Sequence, residues 1–197
     1  MKLYYTKASP YARKVRMAAI EKGISNQIKL VEVVLAEKPQ ELLDANPLGK
    51  IPALITNEGL AIYDSPVICE YIEKLSPKPK LIPGGKKRFE ILTICALADG
   101  MMDSAVGAVM ETRRPQEKQS DDAIKKHKTD IVRSVEALNK LVKRFKKINM
   151  ASIAVAAAIA YLDFRHADID WRKKNKKLAA WFLEFSGRES FDRTKPG

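Results

Sequence analysis

Two short stretches of the chain contain residues that could bind a ligand, and each lies where a helix or a strand is predicted to begin. In the first, Asp64-Ser65-Pro66 precedes apolar residues at helical spacing, so Asp64 or Ser65 is predicted to cap a helix and Pro66 to occupy its first turn. The free N–H groups at such a helix N-terminus can bind a carboxylate. Taken alone, this segment also fits an ordinary capped helix without a ligand.

In the second stretch, Gly49-Lys50-Ile51-Pro52, a proline stands where a strand is predicted to begin. Proline has no N–H for a β-sheet, and it is the residue that most often follows a cis peptide bond. If the Ile51-Pro52 bond is cis, the backbone of Ile51 turns away from the sheet. Its N–H and C=O are then free to pair with the backbone of a bound peptide, as an added strand does.

A small α/β unit is predicted to position these residues. Residues 2–6 and 28–35 are predicted strands, and the helix between them begins at Ser9-Pro10 and ends at Gly23. The elements predicted next are a short helix over 40–45, an antiparallel hairpin of strands over 53–56 and 60–63, and a helix that begins at Asp64-Ser65. The order βαβ, α, ββα is that of the thioredoxin fold.

A segment rich in Pro, Gly and Lys, residues 76–85, is predicted to be a linker between two domains. Residues 1–75 then form a thioredoxin-like domain and residues 86–197 an all-α helical bundle. Met150 to Leu162 carries no charge on any face, so it is predicted to be the buried central helix of the bundle. The helices predicted for this domain cover residues 86–112, 119–146, 150–166 and 174–185.

The composition argues against several function classes. The formal charge is +12, but residues 1–75 hold ten Lys/Arg against nine Asp/Glu, so the excess lies in the helical domain. Its basic clusters come without a helix-turn-helix, zinc-finger or aromatic RNA-binding pattern. A solvated surface is therefore preferred, and nucleic acid is not the expected partner. Cys69 and Cys95 are too few for a disulfide framework or a metal cluster, and no metal site is predicted.

The hydropathy pattern indicates a cytoplasmic protein that does not associate with membranes. No run of uncharged apolar residues reaches the length that spans a bilayer, the longest being Ile153 to Leu162. The N-terminus lacks the pattern of a signal peptide.

Three motifs in this order resemble those of the glutathione S-transferase family. They are SPYARKVR over 9–16, NPLGKIPAL over 46–54 and DSPVI over 64–68, and the similarity extends through residues 98–103, 161–165 and 190–196. Within the family they are similar to bacterial cytosolic members with a serine in the active site. The resemblance implies a glutathione transferase that activates the glutathione thiolate, as co-substrate, for conjugation to small electrophiles. Detoxification and a homodimer are further expectations from the family.

The resemblance also implies a glutathione site on the first domain. Asp64 and Ser65 match the acidic-Ser pair that holds the γ-glutamyl end, where a carboxylate can accept hydrogen bonds from an α-ammonium group. Ile51, before the expected cis-Pro52, matches the residue whose backbone pairs with the cysteinyl amide.

Two lysines, Lys38 and Lys50, match positions that in related serine classes reach the glycyl carboxylate. Lysine suits this task because it is a point charge on a flexible stem. For each of them a solvated side chain without a ligand stays open.

Ser9 is the residue to which the resemblance assigns catalysis. A free thiol has a pKa of ~8.5, and its thiolate is the useful nucleophile. Lowering that pKa by ~2 units requires ~2.7 kcal/mol of preferential thiolate stabilisation. A hydroxyl that donates to the charged sulfur contributes ~1.5 to 3 kcal/mol, and a helix N-terminus adds ~0.3 to 1 kcal/mol. Ser9 is therefore predicted to be a hydrogen-bond donor rather than a nucleophile, although an N-cap role can compete for its hydroxyl.

The same helix carries Arg13 and Arg16 one or two turns after Ser9. They could add positive potential near the sulfur. The preferred prediction is that both lie on an exposed face that forms salt bridges.

A second function class stays open, a non-catalytic scaffold or regulatory protein similar to the stringent starvation protein of bacteria. The basic helical domain supports it. The combination of Ser9, Ile51-Pro52, Asp64 and Ser65 favours a working glutathione site, because a scaffold does not need those residues together.

Overall fold

A four-stranded sheet lies at the centre of the first half of the chain in the computed structural model, which describes residues 1–196. The strands are β1 Lys2–Tyr5, β2 Lys29–Glu32, β3 Ala53–Ile55 and β4 Ala61–Ile62, and their order in the sheet is β2-β1-β3-β4. Strands β1 and β2 are parallel, whereas β3 is antiparallel to both of its neighbours. The helices of this part are α1 Pro10–Glu21, α2 Gln40–Ala45 and α3 Ser65–Leu75.

The second half of the chain is helical. Its helices are α4 Lys86–Thr112, α5 Asp121–Phe145, α6 Met150–Arg165, α7 Trp171–Lys174 and α8 Lys176–Ser186. The predicted fold class, a thioredoxin-like α/β domain followed by an all-α domain, is confirmed. The last predicted helix differs in detail, because it begins earlier and is divided at Asn175, whose side chain donates to the carbonyl of Trp171 (2.8 Å).

Helix α6 is the buried helix of this half, as its lack of charge predicted. Every residue from Met150 to Leu162 is buried. Its first turn is closed by a reciprocal pair, in which Asn149 Oδ1 accepts from the Ser152 N–H (3.0 Å) and Ser152 Oγ accepts from the Asn149 N–H (2.9 Å). Asn149 and Ser152 therefore form the capping box at this helix start.

The chain divides into two compact units. The first comprises residues 1–82 together with the C-terminal segment from Arg188, and the second comprises residues 83–187. The C-terminal segment contains a short helix, α9 Glu189–Asp192, which the sequence did not predict. The sequence had placed this segment in the helical domain. It belongs to the first unit because its polar partners are Arg13, Arg16 and Glu21, all on α1.

Within the described residues, one helix, α4, is long and apolar enough to cross a membrane by length and composition alone. Core helices of globular proteins pass the same test, and eight side chains of α4 are buried in the structure. Both cysteines are buried, and neither forms a disulfide bond.

Candidate functional site

The register of the sheet brings four loops of the first unit together at one edge, the edge at which β1, β2 and β4 end and β3 begins. Tyr5 lies beside Glu32 in the parallel pair, so the chain leaves β1 and β2 at the same edge. Because Tyr4 lies opposite Ala53 and Leu54 opposite Ile62, β3 begins and β4 ends there as well. We call this the site edge, and the segments along it are residues 6–9, 33–39, 46–52 and 63–65. All seven predicted site residues fall within these segments.

Ser9 ends the loop after β1 and is the N-cap of α1. Its backbone is extended (φ −75°, ψ 120°), and its Oγ accepts a hydrogen bond from the Ala12 N–H (3.2 Å). The residue is buried, with 9% of its surface exposed. A hydroxyl has one proton and two acceptor lone pairs, so this cap occupies a lone pair and leaves the proton available for donation.

Ile51 and Pro52 lie in the loop before β3, and the peptide bond between them is cis, as predicted. The loop is organised by Asn46, which is 2% exposed. Its Nδ2 donates to the Lys50 carbonyl (2.8 Å), and its Oδ1 accepts from the Leu48 N–H (3.1 Å). Within residues 1–196 nothing bonds to the backbone N–H or C=O of Ile51, so both groups are available to a ligand.

Sequence reasoning had not singled out Asn46 as a supporting residue. The signal was present, because asparagine before a Pro and a Gly is typical of a turn closed by its own side chain. The structure adds that the same side chain bonds the carbonyl just before Ile51. Asn46 therefore holds the part of the loop that presents the Ile51 backbone.

Asp64 and Ser65 begin α3 at the end of β4. Asp64 is the N-cap residue by its backbone, and its carbonyl accepts from the Ile68 N–H (3.0 Å). No side chain caps the first turn of α3, and the Asp64 side chain is exposed. Ser65 is 3% exposed. This helix start thus offers a free carboxylate and first-turn N–H groups, which attract an ammonium group and a carboxylate respectively.

Lys38 and Lys50 are both exposed at the site edge. Lys38 follows the 3-10 turn Leu35–Glu37 after β2 and has a left-handed backbone (φ 44°). Neither lysine forms an ion pair with any residue in the described part of the chain. Their ammonium groups can therefore approach an anion, but no protein contact fixes them.

Arg13 and Arg16 do not lie on an exposed face of α1 that forms salt bridges, contrary to the prediction. Arg13 is 4% exposed and donates to the Phe191 carbonyl (3.1 Å), while Arg16 donates to the Arg193 carbonyl (3.2 Å). Neither guanidinium pairs with a carboxylate among residues 1–196. Burial lowers the pKa of Arg13 to about 10, with a smaller effect from the charge of Arg16. The prediction was wrong because the C-terminal segment covers this face of α1.

The site edge therefore combines groups of distinct chemistry. It has a buried hydroxyl with a free proton, an unpaired backbone N–H and C=O at Ile51, a carboxylate at a helix start and two free ammonium groups. Together they complement an extended, peptide-like ligand that carries an ammonium group, carboxylates and a group that accepts a hydrogen bond from Ser9. Within residues 1–196, no group of three or more His, Cys, Asp or Glu residues could hold a metal ion.

Two family models match the chain. They are described as the N-terminal domain of glutathione S-transferase, over residues 8–75, and the C-terminal domain of glutathione S-transferase, over residues 121–184. The uncharacterized GST-like protein YibF of Escherichia coli K12 is 34% identical over 201 residues, which cover 100% of this chain and 98% of that protein.

Two solved structures from Pseudomonas fluorescens Pf-5 are similar over the whole chain. A glutathione transferase family member with bound glutathione is 38% identical, with a TM-score of 0.96, and the match covers 100% of this chain and 98% of the other. A family member with bound S-(propanoic acid)-glutathione is 36% identical, with a TM-score of 0.90 and coverage of 100% and 97%.

Proposed function

The chain belongs to the glutathione S-transferase family, and we propose that it is a serine-type glutathione transferase that conjugates glutathione to small electrophiles. Glutathione lies along the site edge of the first unit. Its sulfur lies at Ser9, and its two ends extend toward α3 and toward the two lysines.

The γ-glutamyl end binds at the start of α3. Its α-ammonium group donates to the exposed carboxylate of Asp64, and its α-carboxylate accepts from Ser65 and the first-turn N–H groups. Hydrogen bonds to charged groups contribute ~1.5 to 3 kcal/mol each. This end therefore supplies a large part of the affinity.

The middle of the tripeptide binds as a short added strand. The cysteinyl N–H and C=O pair with the free C=O and N–H of Ile51, next to cis-Pro52. The glycyl carboxylate then lies toward Lys38 and Lys50, whose ammonium groups lack ion-pair partners in the described structure. Because both lysines are exposed, each contributes less than ~1 kcal/mol.

Ser9 holds the sulfur as a thiolate. The observation that carries this proposal is the direction of its hydrogen bond, since Oγ accepts from the Ala12 N–H and its proton stays free to donate. Cap and catalytic roles therefore use different parts of one hydroxyl and do not compete. An accepted hydrogen bond also polarises the O–H, which strengthens its donation to the sulfur.

The thiolate attacks an electrophilic carbon, and a carbon–sulfur bond forms. In a substitution the leaving group departs with its bonding electrons, and in an addition the acceptor carbanion takes a proton from water. Serine cannot form a mixed disulfide with glutathione, so thiol–disulfide exchange through this residue is excluded. A family member that holds an S-substituted glutathione agrees with conjugation chemistry.

Calorimetry with glutathione tests the binding mode. The wild-type protein is expected to bind it, and Asp64→Asn is expected to weaken binding by about 10- to 100-fold, because one charge-assisted contact is lost. Asp122→Asn, the same chemical change at an exposed position at the start of α5, is the control and should leave the affinity unchanged. Equal affinity of Asp64→Asn and wild type would remove Asp64 from the site.

Conjugation of a chlorodinitrobenzene-type electrophile separates a transferase from a scaffold. The transferase forms the thioether at a rate that depends on Ser9. A scaffold shows no glutathione binding and no product.

A further inference from the structure

The C-terminal segment, residues 188–196, packs along α1 within the first unit. Three of its side chains are buried, with Ser190 1%, Phe191 9% and Thr194 0% exposed. We call this segment the clasp.

The clasp holds the far end of α1 through Glu21. Arg188 donates from Nε and Nη2 to the two carboxylate oxygens of Glu21 (2.7 Å each), and Ser190 Oγ donates to Oε1 (2.5 Å). A bidentate pair of this kind fixes both partners in orientation. It lies at the last residue of α1, more than two turns away from Ser9.

The near end of α1 is held through Arg13. Its Nη2 donates to the Phe191 carbonyl (3.1 Å), its Nε donates to Thr194 Oγ1 (3.4 Å), and its guanidinium carbon lies 4.2 Å from the centroid of the Phe191 ring. All of these partners are neutral and all belong to the clasp. The charge of Arg13 is thus buried without a carboxylate among residues 1–196.

A buried charge without a counterion is expensive unless hydrogen bonds and an aromatic face stabilise it. Helix stability alone does not require this arrangement, since the Glu21 contacts already anchor α1 to the clasp. Arg13, however, lies in the turn that Ser9 caps. Its own N–H bonds the Ser9 carbonyl (3.0 Å), and the preceding N–H, of Ala12, bonds Ser9 Oγ (3.2 Å).

We infer that Arg13 is a positioning residue for Ser9, and that the clasp acts on the site edge through it. Phe191 and Thr194 hold the Arg13 side chain, Arg13 holds the first turn of α1, and that turn sets the direction of the Ser9 hydroxyl. The Cα atoms of Ser9 and Arg13 are separated by about 6 Å along the helix axis, at 1.5 Å per residue. This inference rests on the proposed function, because the group that the Ser9 hydroxyl acts on there is the glutathione thiolate.

The test compares substitutions at the two ends of the clasp. Arg13→Lys keeps the charge but loses the planar fork, and Phe191→Leu keeps an apolar side chain and the backbone carbonyl but removes the aromatic face. The matched substitution at the far end is Glu21→Gln. Arg193→Ala is the neutral control, since Arg16 uses the backbone carbonyl of Arg193 and the Arg193 side chain pairs with Glu189.

Two readouts are used, the ultraviolet titration of the bound glutathione thiol and amide hydrogen exchange in the free protein. Arg13→Lys and Phe191→Leu are expected to lower the thiolate fraction at neutral pH about two- to fivefold. They should also speed exchange at Ala12 and Arg13 about fivefold. Glu21→Gln should lower Tm and leave both readouts at wild-type values.

The inference is overturned if Arg13→Lys and Phe191→Leu lower Tm as Glu21→Gln does but leave the thiol titration and the first-turn exchange unchanged. If Arg13→Lys does not fold, the thiol titration and the first-turn exchange of Phe191→Leu alone test the inference. If the wild-type protein binds no glutathione, the proposed function fails, and the exchange rates at Ala12 and Arg13 then decide whether Arg13 positions the first turn.

Discussion

The two units of the molecule place their polar residues differently. Nine of the twelve buried polar or charged residues in the described chain belong to the first unit, and the other three, Ser152, His166 and Asn175, belong to the second. The excess of basic residues has the opposite distribution. Residues 83–187 carry 21 Lys/Arg against 13 Asp/Glu, whereas the first unit, residues 1–82 and 188–197, carries 15 against 11.

The different placement of polar residues indicates that hydrogen bonds fix the backbone of the first unit, whereas apolar packing stabilises the second. A buried polar group is tolerated when it is hydrogen-bonded, and each such bond fixes a backbone position that apolar packing alone would leave loose. In the first unit these bonds hold the loops of the site edge and the helix that begins at Ser9. In the second unit α6 is buried over 13 consecutive residues by small and apolar side chains. We therefore expect polar substitutions to matter most in the first unit and changes of side-chain volume to matter most in the second.

The largest effect is expected at the buried ion pair of the first unit. Lys22 Nζ donates to Glu73 Oε2 (3.0 Å) and to the Pro79 carbonyl (2.8 Å), and Glu73 also accepts from the Leu81 N–H (3.1 Å). Glu73→Ala leaves the buried ammonium group without its counterion, so the free energy of unfolding should fall by ~3 to 5 kcal/mol. Denaturant titration measures this loss, with exposed Glu37→Ala as the control. A loss below ~1 kcal/mol would contradict the contrast between the units.

Substitutions that enlarge a side chain test how tightly the helices of the second unit pack. A Cβ at Gly107 on α4 would lie 2.7 and 2.8 Å from ring atoms of His127 on α5, whereas a Cβ at Gly100 meets no atom within 4 Å. Gly100→Ala should stabilise the protein by ~0.5 to 1 kcal/mol through helix propensity. Gly107→Ala should be less favourable by ~1 kcal/mol or more, because the imidazole ring must move. Thermal unfolding of both variants measures the difference.

The His127→Ala background provides the control for that comparison. Removing the ring should bring the two glycine substitutions to the same stability. A difference that persists without the ring would show that close approach to His127 is not its cause.

The pH dependence of the free energy of unfolding tests the contribution of Glu21 and its contacts with the clasp. Burial raises the pKa of the Glu21 carboxyl, but hydrogen bonds from Arg188 and Ser190 and the charge of Arg188 outweigh it, so the pKa lies below its ordinary value of 4.5. A group with a depressed folded pKa stabilises the native state above its unfolded pKa, and this contribution is lost as the pH falls through the folded value. Wild-type stability should therefore decline below pH 4.5 more steeply than that of Glu21→Gln. Parallel curves for the two proteins would exclude this contribution.

The smallest effect concerns the surface charge of the second unit. Lys176 and Lys177 occupy the first turn of α8, where the helix dipole disfavours cations, and that turn contains no acidic residue. Lys176→Glu should raise stability by ~0.3 to 1 kcal/mol at low salt, and added salt should reduce the gain. Unfolding at two ionic strengths measures it. A gain that does not depend on salt would have another origin.

Most of the fold could be predicted from the sequence, because short sequence signals indicate where its helices and strands begin and end. Prolines and glycines separate the strands and helices of the first unit, and Ser9 is a serine immediately before Pro10 at a helix start. The lack of charge from Met150 to Leu162 identified the buried helix α6 in the same way. These signals lie within a few residues of the structure they specify.

The features that the sequence did not reveal depend on distant contacts. Arg13 has the residue type of an exposed helix face, and its burial follows from Phe191 and Thr194, which lie nearly 180 residues later in the chain. Lys22 is buried for the same kind of reason, through Glu73 and Pro79. No local periodicity indicates such pairs, so the contacts of the clasp with α1 could be found only in the structure.

The role of Ser9 in holding the thiolate can be measured by titrating the bound glutathione thiol in the wild-type protein and in Ser9→Ala. With Ser9 present, the thiol pKa should lie well below the ~8.5 of a free thiol. Loss of the hydroxyl should raise the pKa by ~1 to 2 units, since one hydrogen bond to a charged sulfur is removed. Ser76→Ala, at a partly exposed serine whose Oγ donates to the Lys78 carbonyl, is the control. An unchanged thiol pKa in Ser9→Ala, with glutathione still bound, would contradict the role assigned to Ser9.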